Sequence, residues 1–247
     1  MPRLTRVRRG LADDRAGFSS YARLLEEAAT VASAEAGYPP QWYGEHATAW
    51  VIRRSTIECP APVPPGVELE ILTWVADFRR VRSRREYELR LEGALVLSAH
   101  TDWVYVDRTS GRPRRIPDAM MRAFVPEGEV QAMPRAALDV ADPPADAPAV
   151  EIAVDPRDVD RLDHVNNANY FDYVEAAATT AIGDGWRALR HDLEYLDEAR
   201  AGDRLRCVTW ALGESERATE IRRVSDRALL TKARSAWTRN ADRGRER

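Results

Sequence analysis

The sequence is poor in cysteine, in net charge and in long hydrophobic runs, and each shortage excludes a class of protein. Two cysteines among 247 residues are too few for a disulfide framework, and no Cys/His set has zinc-binding spacing. No stretch approaches the roughly 18 apolar residues of a membrane span, and the basic first residues lack the apolar run of a secretory signal. We therefore expect a cytoplasmic protein with Cys59 and Cys207 in its core.

Charge is nearly balanced, with a formal net charge of -3, so no global basic excess points to nucleic acid. We expect neither nucleic-acid nor membrane partners. At 44% hydrophobic residues, the chain is long enough for one large or two small domains with their own cores.

An internal repeat divides the chain. PGVELEILTW (65–74) recurs as AGDRLRCVTW (201–210), and ALVLSAHTDW (94–103) recurs as ALLTKARSAW (228–237). The first pair is offset by 136 positions and the second by 134, which indicates duplication of a whole unit. The shared positions of the first pair are Gly66, Leu69, Thr73 and Trp74, matched by Gly202, Leu205, Thr209 and Trp210.

Each copy combines one apolar helix with several strands. REYELRLEG alternates apolar and charged residues as a half-buried strand does, and apolar helices are predicted over 18–37 and 166–182. The order in each copy is a short strand, a long helix and about four long strands. One helix wrapped by a curved antiparallel sheet satisfies that order, so we predict an α+β, tandem (double) hot-dog fold.

Composition also suggests domain boundaries. The predicted units are an N-terminal hot-dog domain over 1–124, a Pro- and Ala-rich linker over 125–149, and a C-terminal hot-dog domain over 150–238, followed by a disordered tail over 239–247. A double hot dog supplies within one chain the pairing that single domains obtain by dimerising, so monomer and homodimer both stay open.

One stretch, DHVNNANYFDYVEAA (Asp163–Ala177), concentrates polar residues at a predicted helix start. His164, Asn166 and Asn167 lie together there, shortly after Asp160. With the two helices aligned at an offset of 149, the first copy has Arg15, Gly17 and Phe18 instead. Both copies keep the helix and strands but only the second keeps the polar set, which favours a functional site in the second domain.

Helix capping is the structural alternative. Asn166 or Asn167 could be an N-cap, with Asp158 and Asp160 stabilising the positive end of the helix. Capping and catalysis are compatible, because a helix start also presents N–H groups that can hold an oxyanion. DVDRLD lacks the glycine and the glutamate of an EF-hand loop, so we expect no metal and no cofactor.

DVDRLDHVNNANY resembles the signature of hot-dog thioesterases. TWVADFRRVRSRREYEL and DWVYVDRTSGRPRRIP are similar to the strand pair and the Trp-Val, Thr, Arg, Ile-Pro segment of plant-type and bacterial acyl-ACP thioesterases, where ACP is acyl carrier protein. The resemblance covers roughly residues 5–238. It implies hydrolysis of acyl-ACP thioesters to free fatty acids, with ACP as the partner.

The resemblance also implies catalytic residues. Asp160 and His164 match the family's catalytic aspartate and histidine, and Glu198 matches its glutamate on the next strand. Two positions depart from the plant pattern: Leu162 replaces an asparagine that positions the carboxylate, and Ala199 replaces a cysteine. Ala199 excludes a cysteine mechanism at that position.

Thioester hydrolysis needs a carboxylate that attacks the carbonyl or activates water, oxyanion donors, and a proton for the thiolate. The first role falls to Asp160, while His164 and Glu198 would orient water and move protons. Substrate binding falls to the helix-start residues Val165, Asn166 and Asn167, with N–H groups near the first two as oxyanion donors.

Several alternatives stay open at this point. Glu175, eleven residues after His164, is a competing carboxylate. The competing functions are a hot-dog thioesterase acting on acyl-CoA or a polyketide intermediate, and a non-catalytic acyl-binding or regulatory domain. A hot-dog dehydratase is also conceivable, but its chemistry relies on a different arrangement of histidine and acid, so the His-Val-Asn-Asn set argues against it.

FRRVRSRRE (78–86) and GRPRRIP (111–117) supply arginines that could meet the acidic ACP. Charge reversal at Arg84 and Arg85 is then expected to raise KM for acyl-ACP but not for acyl-CoA. The structural alternative is that these arginines lie on the solvent-exposed rim of a β-hairpin and meet no partner.

Overall fold

A computed structural model of the chain describes residues 5–10, 17–124, 138–160 and 163–240. These residues form two compact units, one comprising 5–10, 20–57 and 62–124, the other 17–19, 58–61, 138–160 and 163–240. Residues 125–137 of the predicted linker and 241–247 of the predicted tail lie outside the described residues. Within the described ranges, every helix falls short of the length and apolarity that crossing a membrane requires.

The first half of the chain follows the predicted order of elements. They are β1 (Thr5–Gly10), α1 (Phe18–Glu35), α2 (Pro40–Glu45), β2 (Thr48–Glu58), β3 (Glu68–Arg79), β4 (Arg82–Leu91), β5 (Ala94–Asp107) and α3 (Asp118–Phe124). The strands lie side by side in the order β1-β3-β4-β5-β2. Tyr87 and Leu89 on β4 are buried, as their alternation with charged residues predicts.

The second half repeats this plan. Its elements are β6 (Ala149–Ala153), a short 3-10 turn (Pro156–Asp158), α4 (Asn169–Ile182), β7 (Trp186–Tyr195), β8 (Arg204–Ala211), β9 (Glu216–Arg223) and β10 (Leu229–Arg239). The strand order is β7-β10-β9-β8-β6, and the paired strands run antiparallel.

Helix α4 packs on the second sheet through a mostly apolar face. It packs against β6, β7, β8 and β9. Its buried apolar residues recur at helical spacing: Tyr170, Phe171, Val174, Ala177 and Ala178. The strands contribute Leu193, Leu205, Cys207 and Ile221, all fully buried. The predicted α+β hot-dog fold class is confirmed.

The repeat has a physical basis in both copies. Gly66 and Gly202 precede β3 and β8 with φ of 75° and 84°, a left-handed conformation that favours glycine. Thr73 and Thr209 are fully buried on those strands. Each hydroxyl is hydrogen-bonded to the neighbouring strand, that of Thr73 to the Glu86 carbonyl at 2.9 Å.

Candidate active site

Asp158 anchors the segment that leads into α4. Its Oδ2 accepts hydrogen bonds from the Tyr173 hydroxyl at 2.8 Å and the Asp155 N–H at 3.2 Å. Its carbonyl oxygen accepts from the Asn166 N–H at 2.9 Å and from Asn169 Nδ2 at 2.8 Å. Burial and the bond to Asp158 raise the pKa of Tyr173, so the phenol stays protonated and donates. Asp158 therefore has a structural role.

Asp160 and His164 lie close together in the backbone. The Asp160 N–H donates to the His164 carbonyl at 2.8 Å, and the Asp163 N–H donates to the Asp160 carbonyl at 3.2 Å. Asp163 has a φ of 65°, a conformation that Asp and Asn tolerate better than most residues. Asp160 is exposed and His164 is half-buried. Leu162 lies outside the described residues.

The structure brings His164 and Glu198 into contact. His164 Nε2 lies 3.0 Å from Glu198 Oε2, and the two side chains are 33% and 41% exposed. Their segments are held side by side by the Val165 N–H, which donates to the Ala199 carbonyl at 2.8 Å. The Ala199 N–H donates to the Tyr170 hydroxyl at 3.1 Å, which ties the same segment to α4. These bonds hold the backbone segments of His164 and Glu198 side by side.

Two arginines hold Glu198 from its other side. Arg200 Nη2 donates to Glu198 Oε1 at 2.8 Å, so each carboxylate oxygen has its own partner. Arg223 Nη1 donates to the Glu198 carbonyl at 3.0 Å. Neither arginine was a sequence-predicted site residue. The i, i+2 spacing of Glu198 and Arg200 puts both side chains on one side of an extended chain, and it is the signal that could have found Arg200.

The predicted oxyanion donors are already engaged. The Val165 and Asn166 N–H groups donate to the Ala199 and Asp158 carbonyls at 2.8 and 2.9 Å, so neither is available to a substrate while those bonds persist. Within the described part of the chain, the Asn167 N–H and side-chain amide have no hydrogen-bond partner, while the Asn167 carbonyl accepts from a tyrosine hydroxyl. Of the three predicted helix-start residues, Asn167 is therefore the one with N–H groups that can donate to a substrate.

Neither asparagine caps α4. The helix was predicted from residue 166 but begins at Asn169, with Ala168 as a helical N-cap residue that makes no side-chain cap bond. The turn before it accounts for the difference, because Asn166 Oδ1 accepts from the Ala168 N–H at 2.8 Å and closes a local turn. Capping alone therefore does not explain the polar set.

Glu175 faces a different imidazole from the one in the motif. Its Oε1 lies 3.3 Å from Nε2 of His191, a contact without hydrogen-bond alignment. His191 is fully buried on β7, and its ring meets those of Phe18, Phe171 and Trp237 at centroid distances of 4.5, 5.9 and 5.7 Å. The competing carboxylate is therefore half-buried and lies beside an aromatic-lined core histidine, away from the His164–Glu198 contact.

The cysteines offer no nucleophile. Cys59 and Cys207 are free and buried, as predicted. Burial raises the pKa of Cys207 to about 12, so its thiol is protonated at neutral pH. A cysteine mechanism therefore has no support at either residue.

The predicted roles of Arg84 and Arg85 in meeting a partner are wrong. Both are buried, at 4% and 6% exposure. Arg84 makes a two-pronged bond to Asp102 at 2.9 and 3.0 Å. The Arg85 guanidinium lies 5.5 Å from the Phe124 ring centroid and 3.3 Å from the Thr73 hydroxyl, and burial lowers its pKa. Both side chains belong to the packing of β4, one on each face of the strand.

Comparison with known proteins covers nearly the whole chain. The family model described as acyl-ACP thioesterase N-terminal domain matches residues 8–124, and that of the C-terminal domain matches residues 143–239. No curated protein matches the sequence.

Solved structures match over almost the full length. An acyl-ACP thioesterase from Bacteroides thetaiotaomicron is 16% identical with a TM-score of 0.81, over 95% of this chain and 98% of that one. A putative oleoyl thioesterase from Lactobacillus plantarum is 17% identical with a TM-score of 0.81, over 98% of each chain. The 12:0-ACP thioesterase from Umbellularia californica is 19% identical with a TM-score of 0.79, over 96% and 98%. At these identities the likeness establishes the shared fold.

Proposed function

The chain belongs to the acyl-ACP thioesterase family, and from that premise we propose that Asp160, His164 and Glu198 carry out hydrolysis of the acyl-ACP thioester. The protein is a thioester hydrolase. The observation that supports the residue assignment is the 3.0 Å contact between His164 and Glu198 beside the turn that holds Asp160. The products are a free fatty acid and the ACP thiol, and the proposed setting is fatty acid biosynthesis.

Asp160 supplies the carboxylate of the reaction. It either takes a proton from the attacking water or attacks the thioester carbonyl itself, in which case water then hydrolyses the resulting anhydride. In both routes a C–O bond forms, the C–S bond breaks, and the thiolate needs a proton. His164 delivers that proton to the thiolate and is reprotonated by the one that water gives up, while Glu198 orients its imidazole, a pairing that their contact supports.

Asn167 supplies the oxyanion donors. The tetrahedral intermediate carries negative charge on the former carbonyl oxygen, and unengaged N–H groups aimed at that oxygen stabilise it. The N–H groups of Val165 and Asn166 hold the local structure together. Among the three predicted substrate-binding residues, all of them within the described ranges, Asn167 is the one whose backbone and side-chain N–H groups are left to act.

Thiol release tests the proposed function. A panel of acyl-ACPs and the matching acyl-CoAs is incubated with the protein, and the liberated thiol is titrated. We expect kcat/KM to be higher on the carrier than on CoA for each acyl group. Release from CoA alone would indicate an acyl-CoA thioesterase, and binding without release from any thioester would indicate an acyl-binding domain.

Arg200→Ala tests whether the Glu198 carboxylate needs its second partner. The pair is exposed, so its loss is worth at most about 1 kcal/mol, and kcat is expected to fall about three- to fivefold with KM unchanged. Arg200→Lys should restore most of kcat by keeping the charge. Arg206→Ala, at an exposed arginine on β8, is the matched control. A rise in KM with constant kcat would assign Arg200 to substrate binding instead.

A further inference from the structure

Seven exposed arginines gather at one end of the first unit, and we call them the arginine surface. Its members lie at the β3–β4 turn and in the chain that follows β5: Arg79, Arg80, Arg82, Arg108, Arg112, Arg114 and Arg115. Backbone bonds join the two segments. The Ile116 N–H donates to the Arg80 carbonyl at 2.9 Å, and the Tyr105 N–H donates to the Val81 carbonyl at 2.8 Å. The two segments therefore lie side by side, which places their arginines at the same end of the unit.

The arginine surface has more arginines than acidic side chains that pair with them. Three members have aspartate partners: Arg79 with Asp77 at 3.2 Å, Arg114 with Asp107 at 3.9 Å, and Arg115 with Asp118 at 3.3 Å. Within the described residues, the other four, Arg80, Arg82, Arg108 and Arg112, make no ion pair. The whole chain carries a net charge of -3, so the excess is local. Such a surface attracts a polyanion.

We propose that the arginine surface docks the acidic acyl carrier protein. The inference rests on the proposed function, because an enzyme whose substrate is tethered to a protein must hold that protein as well as the thioester. Complementary charge at exposed positions speeds encounter and selects the partner while adding modest affinity. Exposure distinguishes these arginines from Arg84 and Arg85, which are buried and committed to internal partners.

Charge reversal at two unpaired members, Arg82→Glu with Arg112→Glu, tests the docking surface. For an acyl-ACP, KM is expected to rise about tenfold with kcat nearly constant, because charge at the rim of an interface acts on association. Hydrolysis of the same acyl group on pantetheine should stay within about twofold, since the carrier protein is absent. Added salt should raise the wild-type KM for acyl-ACP and affect that of the variant much less.

The matched control is Arg206→Glu with Arg227→Glu, which makes the same change in net charge at exposed positions of the second unit. It should leave KM for acyl-ACP unchanged. An equal rise in KM for this control, or for the pantetheine thioester, would overturn the proposal. So would an unchanged KM for acyl-ACP in the Arg82/Arg112 variant, provided that the wild type hydrolyses acyl-ACP. A wild type without acyl-ACP hydrolysis would instead refute the proposed function.

Discussion

Asp160→Asn is expected to lower kcat for acyl-ACP hydrolysis by about 10³-fold, because an amide of the same shape can neither accept a proton from water nor attack a carbonyl. KM should change little, since the substitution removes a charge but almost no volume. The measurement is thiol release under saturating acyl-ACP, beside a circular dichroism spectrum that verifies the fold.

Two other carboxylates provide controls for this result. Asp163→Asn changes an exposed neighbour whose left-handed conformation asparagine also tolerates, and it should leave kcat within about twofold. Glu175→Gln changes the carboxylate that faces the buried His191. If Glu175→Gln abolished turnover while Asp160→Asn kept it, the His191 pair would be the reacting group.

Phe171→Ala is expected to lower the free energy of unfolding by about 3–5 kcal/mol, the cost typical of emptying an aromatic core position. Phe171 is fully buried on α4, and its ring lies 6.3 Å from that of Phe18 and 5.9 Å from that of His191. Removing the ring leaves a cavity between the helix and β7. Urea unfolding at constant m-value measures the change.

Thr179→Ala is the matched control on the same helix. Thr179 is exposed, so its substitution should shift the free energy of unfolding by no more than about 0.5 kcal/mol. A loss for Phe171→Ala as small as that of the control would mean that the cavity collapses and that α4 is not held by this contact.

The fold could be predicted because its signals are local and repeated. Strand alternation reports which residues face the core, and Tyr87 and Leu89 are buried accordingly. The repeated Gly66 and Gly202 mark equivalent left-handed turns. The start of α4 was misplaced by three residues because the side chain of Asn166 closes a turn there, a choice between two local hydrogen-bonding patterns that periodicity does not resolve.

The site could be predicted only where residue types carry the chemistry. The family resemblance predicts His164 and Glu198 as catalytic residues, and the structure brings them together. Whether a backbone N–H group is free for a substrate depends on which distant carbonyl lies opposite it. The sequence therefore gives no signal that the Val165 N–H donates to the Ala199 carbonyl. The charge of Arg84 predicts an exposed side chain, but Arg84 is buried because the Asp102 carboxylate pairs with it.

Two main-chain hydrogen bonds hold the segment that carries His164. One runs from the Val165 N–H to the Ala199 carbonyl, and the other from the Asp160 N–H to the His164 carbonyl. Main-chain groups are common to every residue type except proline, which lacks the N–H. The side chain of His164 can therefore be exchanged while these two main-chain bonds remain. A mutation at position 164 can therefore change the chemistry presented ahead of α4, while the backbone that presents it keeps its hydrogen bonds.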